Sequence, residues 1–250
     1  MILQDLWRAL HKCAIVGLMQ GNVTVISLGG SIIAPRGIDT GFLKEFSLLL
    51  DRYLMDDVAR RLVIVCGGGS LARDYQSALR AIVADSSDED LDWVGIAATR
   101  VNGELVRRML AQRCVEELVS DPTAVTGFAG RVLVAAGWKP GFSTDNDAIL
   151  LAKRLSASTV INLSNLAQVY REDPKKNPAA QPLENISWTE MRRIVGDSWT
   201  PGKNTPFDPI AAREAAAAHI RVIFAFGRDL ANLGRILAGL SFVGTTIGPE

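Results

Sequence analysis

Residues Val132–Asp145 read VLVAAGWKPGFSTD, which joins a short apolar strand, a glycine-containing turn and a Ser-Thr-Asp sequence typical of a helix start. A second apolar run, Thr159–Leu163, follows and leads to the turn DPKK at residues 173–176. In open parallel α/β sheets, ligands bind beyond the carboxyl ends of the strands, where the turns leave N–H groups free. This stretch therefore predicts a parallel α/β sheet with a ligand-binding edge.

The rest of the chain repeats this alternation of strand and helix. Nearly continuous apolar runs, typical of strands buried on both faces, occur at Val23–Leu28, Leu62–Cys66, Val132–Ala135, Thr159–Leu163 and Val222–Phe226. Helical spacing relates three further sets of apolar residues: Phe42, Phe46, Leu49 and Leu50; Leu71, Tyr75, Leu79 and Ile82; Ile149, Leu150 and Leu155. Asp208 and Pro209 predict the start of a helix at Ile210–Ala218. This order predicts a three-layer α/β/α sandwich with a mainly parallel central sheet.

The composition indicates a globular protein without a bulk charge. Of the 250 residues, 48% are apolar, and 27 basic side chains balance 27 acidic ones, so no overall field selects nucleic acid or a membrane. Cys13, Cys66 and Cys114 are widely spaced and only two histidines are present, which favours free thiols in the cytoplasm over disulfides or a zinc site. No apolar run approaches the roughly 20 residues that span a bilayer.

The domain organisation is predicted to be simple. Residues 1–21 are interpreted as a short helical extension, available to pack on a neighbouring subunit, rather than as a targeting signal. They carry Asp5 among scattered basic residues and have no well-placed cleavage site. Residues 22–250 are expected to form a single domain.

Two glycine-rich turns follow the first two strands. Gly29–Ser31 (GGS) and Gly67–Ser70 (GGGS) each precede a predicted helix, where glycine lets the backbone approach an anion and the helix start supplies N–H donors. Neither has the Gly-Lys-Ser/Thr of a Walker loop or the spacing Gly-x-Gly-x-x-Gly, which argues against the P-loop and Rossmann classes. Arg73 lies one helical turn beyond Gly69, within reach of a phosphate held there. The plainer alternatives are tight turns and a solvated arginine.

Seven short motifs occur in a fixed order along the chain: SLGGS at 27–31, VCGGGSLAR at 65–73, DWVGIAATR at 92–100, PGFSTD at 140–145, SNLAQVY at 164–170, DPKK at 173–176 and DPIAA at 208–212. Taken together, they resemble the motifs of the amino acid kinase superfamily, and within it most closely those of the archaeal-type uridylate (UMP) kinases. The resemblance covers about Val23–Ile247 and ends in GTTI at 244–247. Each motif alone is loose, whereas their order and spacing are specific.

The resemblance implies transfer of the γ-phosphoryl group of ATP to UMP, with Mg²⁺, to give UDP in pyrimidine nucleotide synthesis. By position it assigns UMP binding to Gly68, Asp92, Gly137, Trp138, Lys139, Pro140, Gly141, Phe142 and Ser143, with Asp92 as the ribose acceptor. It assigns ATP and its phosphates to Gly29, Gly30, Ser31, Gly69, Arg73, Ser164, Asn165, Tyr170 and Asp173. The acceptor half is then about 22–150 and the ATP half about 151–250. Small-molecule nucleotides are the implied partners, and family members are usually hexamers built from dimers.

The expected catalytic residues are Arg73, Asp145, Asp208 and Lys203. No general base is required, because the attacking group is an already ionised phosphate. Many relatives have a lysine in the first glycine turn, where this chain, like archaeal-type uridylate kinases, has Ser31. Lys203 either supplies that charge or is a solvated loop lysine. Asp145 and Asp208 act through Mg²⁺ or Lys203, or merely cap helices; no metal ligand is assigned.

Two other classes of function stay open. One is a kinase of the same fold that phosphorylates another small acceptor, such as carbamate, an acylated amino acid or an isoprenoid phosphate. The other is a nucleotide-binding module without turnover. The second class is suggested by LAQ at residues 166–168, where relatives usually have Val-Asp-Gly.

Overall fold

The computed structural model describes residues 23–172, 177, 179–196 and 205–248. The strands within these ranges are β1 (Val23–Leu28), β2 (Arg61–Cys66), β3 (Val132–Ala135), β4 (Thr159–Ser164), β5 (Val169–Tyr170), β6 (Pro182–Leu183), β7 (Asn185–Ser187), β8 (Arg221–Phe226) and β9 (Thr245–Gly248). Seven of them form one sheet in the order β3-β2-β1-β4-β8-β9-β7, and β5 and β6 form a separate ribbon. The extension predicted for residues 1–21 lies outside the described residues.

The described helices follow the strands in alternation. They are α1 (Gly30–Ile33), α2 (Thr40–Asp56), α3 (Gly69–Ile82), α4 (Asp88–Met109), α5 (Thr144–Arg154), α6 (Trp188–Val195), α7 (Pro209–Ala217) and α8 (Leu230–Leu237). The predicted cap of α7 is confirmed, because the Asp208 side chain accepts a hydrogen bond from the N–H of Ala211. None of these helices is both long and apolar enough to cross a membrane.

The central part of the sheet is parallel, as predicted. β1 pairs in parallel with β2 and β4, β3 extends the sheet beyond β2, and β8 extends it beyond β4. All five strands predicted from the apolar runs are confirmed. At the far edge, β9 runs antiparallel to β8, and β7 runs parallel to β9. The turns that follow β1, β2, β3 and β4 therefore emerge at the same edge of the sheet.

Helices cover both faces of the sheet. Val25 on β1 faces a core shared with the buried side chains of α5, α6 and α7. The next residue, Ile26, faces the opposite core, which contains buried side chains of α2, α4 and α8. Successive strand residues point to opposite faces, so this division is the three-layer sandwich expected from the sequence.

Helix α3 differs from expectation in what it buries. It forms where its apolar spacing predicts a helix, but none of its residues is buried. Tyr75 is 62% exposed and Ile82 is 81% exposed. The reason is its position: α3 packs against α4, with Gln76 donating to the carbonyl oxygen of Leu91, rather than against the sheet.

Candidate active site

The two glycine turns touch each other backbone to backbone. A Cβ atom on Gly30 would lie 2.0 Å from the backbone nitrogen of Gly69, and one on Gly67 would lie 2.5 Å from that of Gly30. Gly69 also has a φ of +65°, which favours glycine. These glycines are therefore required for the turns to fit together, whatever ligand they meet.

The start of α3 presents bare backbone. Its N-cap residue, Gly68, provides no capping side chain, and the first turn contains no acidic residue. Arg73 follows in the second turn with an exposed side chain. Its guanidinium has no hydrogen bond or ion pair to any other described residue. Ser70 N–H already donates to the carbonyl oxygen of Ala34 at 3.0 Å, so the guanidinium and the other N–H groups of this first turn form the surface suited to an anion.

The start of α5 is the opposite in chemistry. Ser143 caps it by accepting from the N–H of Asn146 at 3.2 Å, and Asp145 and Asp147 stand in its first turn. Two side chains from the sheet bind one oxygen of Asp145, its Oδ1: the Ser27 hydroxyl at 3.0 Å and the Asn162 amide at 2.7 Å. Strands β1 and β4 thus hold this carboxylate at the rim.

A second acid, Asp208 at the start of α7, lies close to Asp145. Burial raises the pKa of Asp145 to about 6, and the neighbouring Asp208 carboxylate adds to the rise. Asp208 itself is 5% exposed, and its Oδ1 is held by the N–H of Ala211 at 2.8 Å. Its Oδ2 is buried and has no hydrogen-bond partner among the described residues. This pair of acids is therefore short of a positive partner within those residues.

The loop after β3, Gly137–Phe142, is held at its beginning by side chains on both flanks. On the α4 side, Thr99 accepts from the N–H of Gly137 at 2.8 Å. Arg100 donates to the carbonyl oxygens of Gly137 at 3.3 Å and Trp138 at 3.0 Å. On the α5 side, Asp147 Oδ2 accepts from the N–H of Trp138 at 3.2 Å. All four backbone polar groups of Gly137 and Trp138 are therefore bound.

Asp92 and Lys139 shape the remainder of this loop. Asp92 Oδ2 accepts from the N–H of Gly141 at 2.9 Å, so this predicted ribose acceptor also fixes the loop. The Lys139 ammonium lies 3.9 Å from the centre of the Trp138 ring and 4.9 Å from that of Phe142. The two rings meet edge to face, 4.8 Å between centres. The Lys139 charge is thus held over an aromatic pair.

Two buried polar residues that hold loops of the candidate site were not among the residues predicted from the sequence. Asn102 is fully buried on α4, and its amide donates to the carbonyl oxygens of Gly67 at 2.8 Å and Gly68 at 3.1 Å. The one sequence feature that could have indicated it is its position three residues after Thr99, which places both polar side chains on the inner face of the helix. Asp147, also fully buried, was hidden in a sequence, DND, that looks like a solvated helix start.

The Asp147 carboxyl is the most strongly perturbed acid of the loop region. Its pKa is raised to about 7, mainly by burial and in smaller part by the carboxylates of Asp145, Asp208 and Asp121, while the hydrogen bond from the Trp138 N–H acts against the rise. Its Oδ1 is buried without a hydrogen-bond partner in the described part of the chain. A neutral carboxyl and an ionised one are thus close in free energy there near neutral pH.

The expected ATP side is described only in part. Ser164 is the last residue of β4 and Asn165 follows it at the same edge, and Tyr170 belongs to the ribbon with β6. Gln168 donates to the carbonyl oxygen of Gly244 at 3.0 Å, which fixes the LAQ segment to the start of β9. Asp173 and Lys203 lie outside the described residues.

This arrangement of glycine turns, strand ends and helix starts is typical of α/β proteins that bind phosphorylated ligands. The model of the amino acid kinase family matches residues 22–225, and the chain belongs to that family. Uridylate kinase from Methanospirillum hungatei is 35% identical over 226 residues, which are 89% of this chain and 93% of that protein. Uridylate kinase from Pyrococcus abyssi is 32% identical over 228 residues, 90% and 99% of the two chains.

A solved structure agrees with these relatives. The crystal structure of uridylate kinase from Archaeoglobus fulgidus matches with a TM-score of 0.77 at 29% identity, covering 90% of this chain and 99% of that one. The family resemblance and the fold predicted from the sequence are both confirmed.

Proposed function

We propose that the protein transfers the γ-phosphoryl group of ATP to UMP, giving ADP and UDP. One observation carries the proposal: two glycine turns and a braced loop follow three adjacent parallel strands, β1, β2 and β3, at one edge of the sheet. The near full-length similarity to uridylate kinases supports the choice of acceptor. In the reaction, an oxygen of the UMP phosphate forms a bond to the γ-phosphorus of ATP. The bond between the γ-phosphorus and the bridging oxygen breaks, and that oxygen leaves with ADP.

We assign the acceptor to residues 22–150 and ATP to residues 151–250. Gly68, Asp92 and the loop 137–143 hold UMP in this proposal. Asp92 Oδ2 already accepts from Gly141, and the carboxylate has lone pairs left to accept from ribose hydroxyls. Gly29, Gly30, Ser31, Gly69 and Arg73 face the phosphates, and Ser164, Asn165, Tyr170 and Asp173 line the ATP nucleoside pocket.

The chemistry asked of these residues is mainly electrostatic. Phosphoryl transfer needs donor and acceptor in line and the charge on the transferring group neutralised. Arg73, at the bare start of α3, provides a bidentate donor for that charge. Lys203, if it reaches the same edge, replaces the lysine that the first glycine turn lacks.

Asp145 and Asp208 are the residues that fit Mg²⁺. The buried Asp208 Oδ2 without a partner among the described residues, beside a second carboxylate, is the oxygen-rich and cation-poor environment that Mg²⁺ prefers. No three His, Cys, Asp or Glu side chains of the described ranges cluster to hold a metal by themselves, so bound Mg²⁺ would need further ligands, such as nucleotide phosphates. The ion, when bound, neutralises charge on the transferring phosphates.

We further propose a cytoplasmic homo-oligomer, hexameric by family resemblance. Ile38, Leu48 and Leu105 are 43%, 45% and 40% exposed and line one apolar groove on α2 and α4, which supports contact with a second copy. The free, buried thiols of Cys66 and Cys114 support a reducing compartment. Sedimentation velocity of the purified chain tests the assembly: a monomer at micromolar concentration contradicts it.

A coupled assay of ADP release tests the reaction. UMP, CMP, dTMP, carbamate and acetylglutamate are offered in turn with Mg-ATP, and turnover is expected with UMP in clear preference to the other four. Turnover with carbamate or acetylglutamate instead supports a different kinase of the same fold. Binding of ATP without ADP release for any acceptor supports a nucleotide-binding module.

A further inference from the structure

We propose that Asp147 is a positioning residue that ties the acceptor loop to α5, the helix that carries Asp145. This inference rests on the proposed function for the identity of the acceptor, but its geometry stands alone. Asp147 Oδ2 holds the N–H of Trp138 at 3.2 Å from the side opposite Thr99 and Arg100. Among the side-chain hydrogen bonds to residues 137–142 from the described part of the chain, it is the one that comes from α5.

A buried carboxylate makes this contact at a cost in folding free energy. It is fully buried, its Oδ1 has no partner in the described ranges, and the charges nearest to it belong to Asp145, Asp208 and Asp121. Burying a carboxylate without a cation disfavours the folded state. A residue that only packed the helix against the sheet would be better apolar, as its neighbours Ala148 and Ile149 are.

The contact links two parts of the site that must be in line. Trp138 belongs to the loop expected to hold UMP, and Asp145, two residues before Asp147, stands at the rim expected to meet the transferring phosphate. A loop fixed only from α4 could shift relative to α5, and small misplacements of reacting groups lower rates severely. Asp147 sets the distance between acceptor and rim.

The test separates positioning from packing. Asp147→Val should raise the KM for UMP about tenfold, the size expected for one lost hydrogen bond to a charged group, and leave the KM for ATP within about twofold. UMP binding measured by calorimetry without ATP should weaken by the same factor. The melting temperature should stay equal or rise. Asp147→Asn, whose amide oxygen can accept from Trp138, should return the KM for UMP to within about threefold of wild type.

Ile149→Val is the matched control, because Ile149 is equally buried on α5 and belongs to the apolar core. It should lower the melting temperature and leave the KM for UMP unchanged, the reverse pattern. An unchanged KM for UMP in Asp147→Val overturns the inference. So does failure of that variant to fold, or an Asp147→Asn variant as impaired as Asp147→Val. Wild-type protein that does not phosphorylate UMP in the same assay contradicts the proposed function instead.

Discussion

Helices α3 and α5 both begin at the same edge of the sheet, yet their first turns differ in the capping side chain and in the charged residues. The start of α3 has Gly68 at its N-cap, no capping side chain and no acid, with Arg73 one turn on. The start of α5 has Ser143 as a capping side chain and two acids in its first turn. Both helices have the same partial positive charge at this end.

The difference shows how one sheet edge can serve two kinds of charge. At α3 no side chain caps the helix start, and the backbone N–H groups other than that of Ser70, which donates to Ala34, are left for a ligand, which suits an anion. At α5 the Ser143 side chain binds a backbone N–H group, and the two acids in the first turn offset the partial positive charge of the helix start. This end of α5 therefore repels an unaccompanied phosphate and attracts a cation. A reaction that moves a phosphoryl group with Mg²⁺ needs both environments side by side.

The largest effect on the start of α3 is expected from Gly30→Ala, which places a side chain against the backbone of the second glycine turn. The new Cβ would lie within 2.0 to 2.6 Å of backbone atoms of Gly67, Gly68 and Gly69, and backbone cannot move aside as a flexible side chain can. We expect a loss of at least about 3 kcal/mol in the free energy of unfolding, measured by urea denaturation, and loss of activity. Gly37→Ala, where nothing lies within 4 Å, is the control and should stay within about 0.5 kcal/mol of wild type.

Arg73→Ala tests whether the start of α3 binds an anion. It should lower kcat by about two orders of magnitude, because donors aimed at developing charge are worth about 3 kcal/mol each. Arg73→Lys should recover part of the rate, since an ammonium lacks the bidentate fork. Arg80→Ala, an exposed arginine in the last turn of the same helix, should change kcat little. Full activity in Arg73→Ala would assign the charge to Lys139 or Lys203.

Asp145→Asn tests whether the start of α5 holds a cation. Its amide oxygen can still accept from Ser27 and Asn162, so the melting temperature should be unchanged or higher. We expect kcat to fall about tenfold or more and the Mg²⁺ concentration for half-maximal rate to rise, as a charged oxygen ligand is lost. Asp88→Asn, an exposed acid in the first turn of α4, is the control. The same Mg²⁺ dependence as wild type would make Asp145 no more than a structural acid.

The smallest effect is expected in the pH dependence of stability. In the unfolded chain Asp147 titrates near 3.9, and in the folded protein at about 7. The folded state therefore holds the proton more tightly, and stability falls as the pH rises between these values. Asp147→Asn should raise the melting temperature by at least about 2 °C at pH 8, roughly 1 kcal/mol for a chain of this size, and little at pH 4.

Asp90→Asn provides the contrast to this result. The pKa of Asp90 is lowered by hydrogen bonds from Ser87, so the charged form is favoured in the folded protein. Its replacement should not raise the melting temperature at pH 8. Equal shifts at both pH values in Asp147→Asn would mean that Asp147 does not titrate in this window.

The sheet was predictable because its centre is buried on both faces. β2 and β3 are apolar almost throughout, and no other element fits such runs as well. β9 was not predicted, because Thr245–Gly248 is short and contains polar residues that only pairing with β8 makes a strand. The apolar spacing of α3 predicted a helix but not what the helix faces, which is set by α4.

The site was predictable where backbone geometry demands a residue type. The glycine turns stood out for that reason, although the contact between them could not be foreseen from either turn alone. Asn102 and Asp147 could not be found, because their importance comes from burial against a loop: Asn102 meets one 35 residues away, and Asp147 meets the one that precedes its own helix. A polar residue on a helix is usually solvated, and only the packed structure distinguishes the exception.

The central position of β1 also sets the order in which a growing chain can acquire this site. Val25 pairs with Val63 early in the sequence and with Val160 much later, so one edge of β1 waits unpaired until β4 has been synthesised. Long-range pairings of this kind form slowly. Ser27 and Asn162, which together hold Asp145, lie on these two strands. The step that pairs β4 with β1 is thus the step that positions the Asp145 carboxylate. A partly synthesised chain has an unpaired edge on β1 and no complete site.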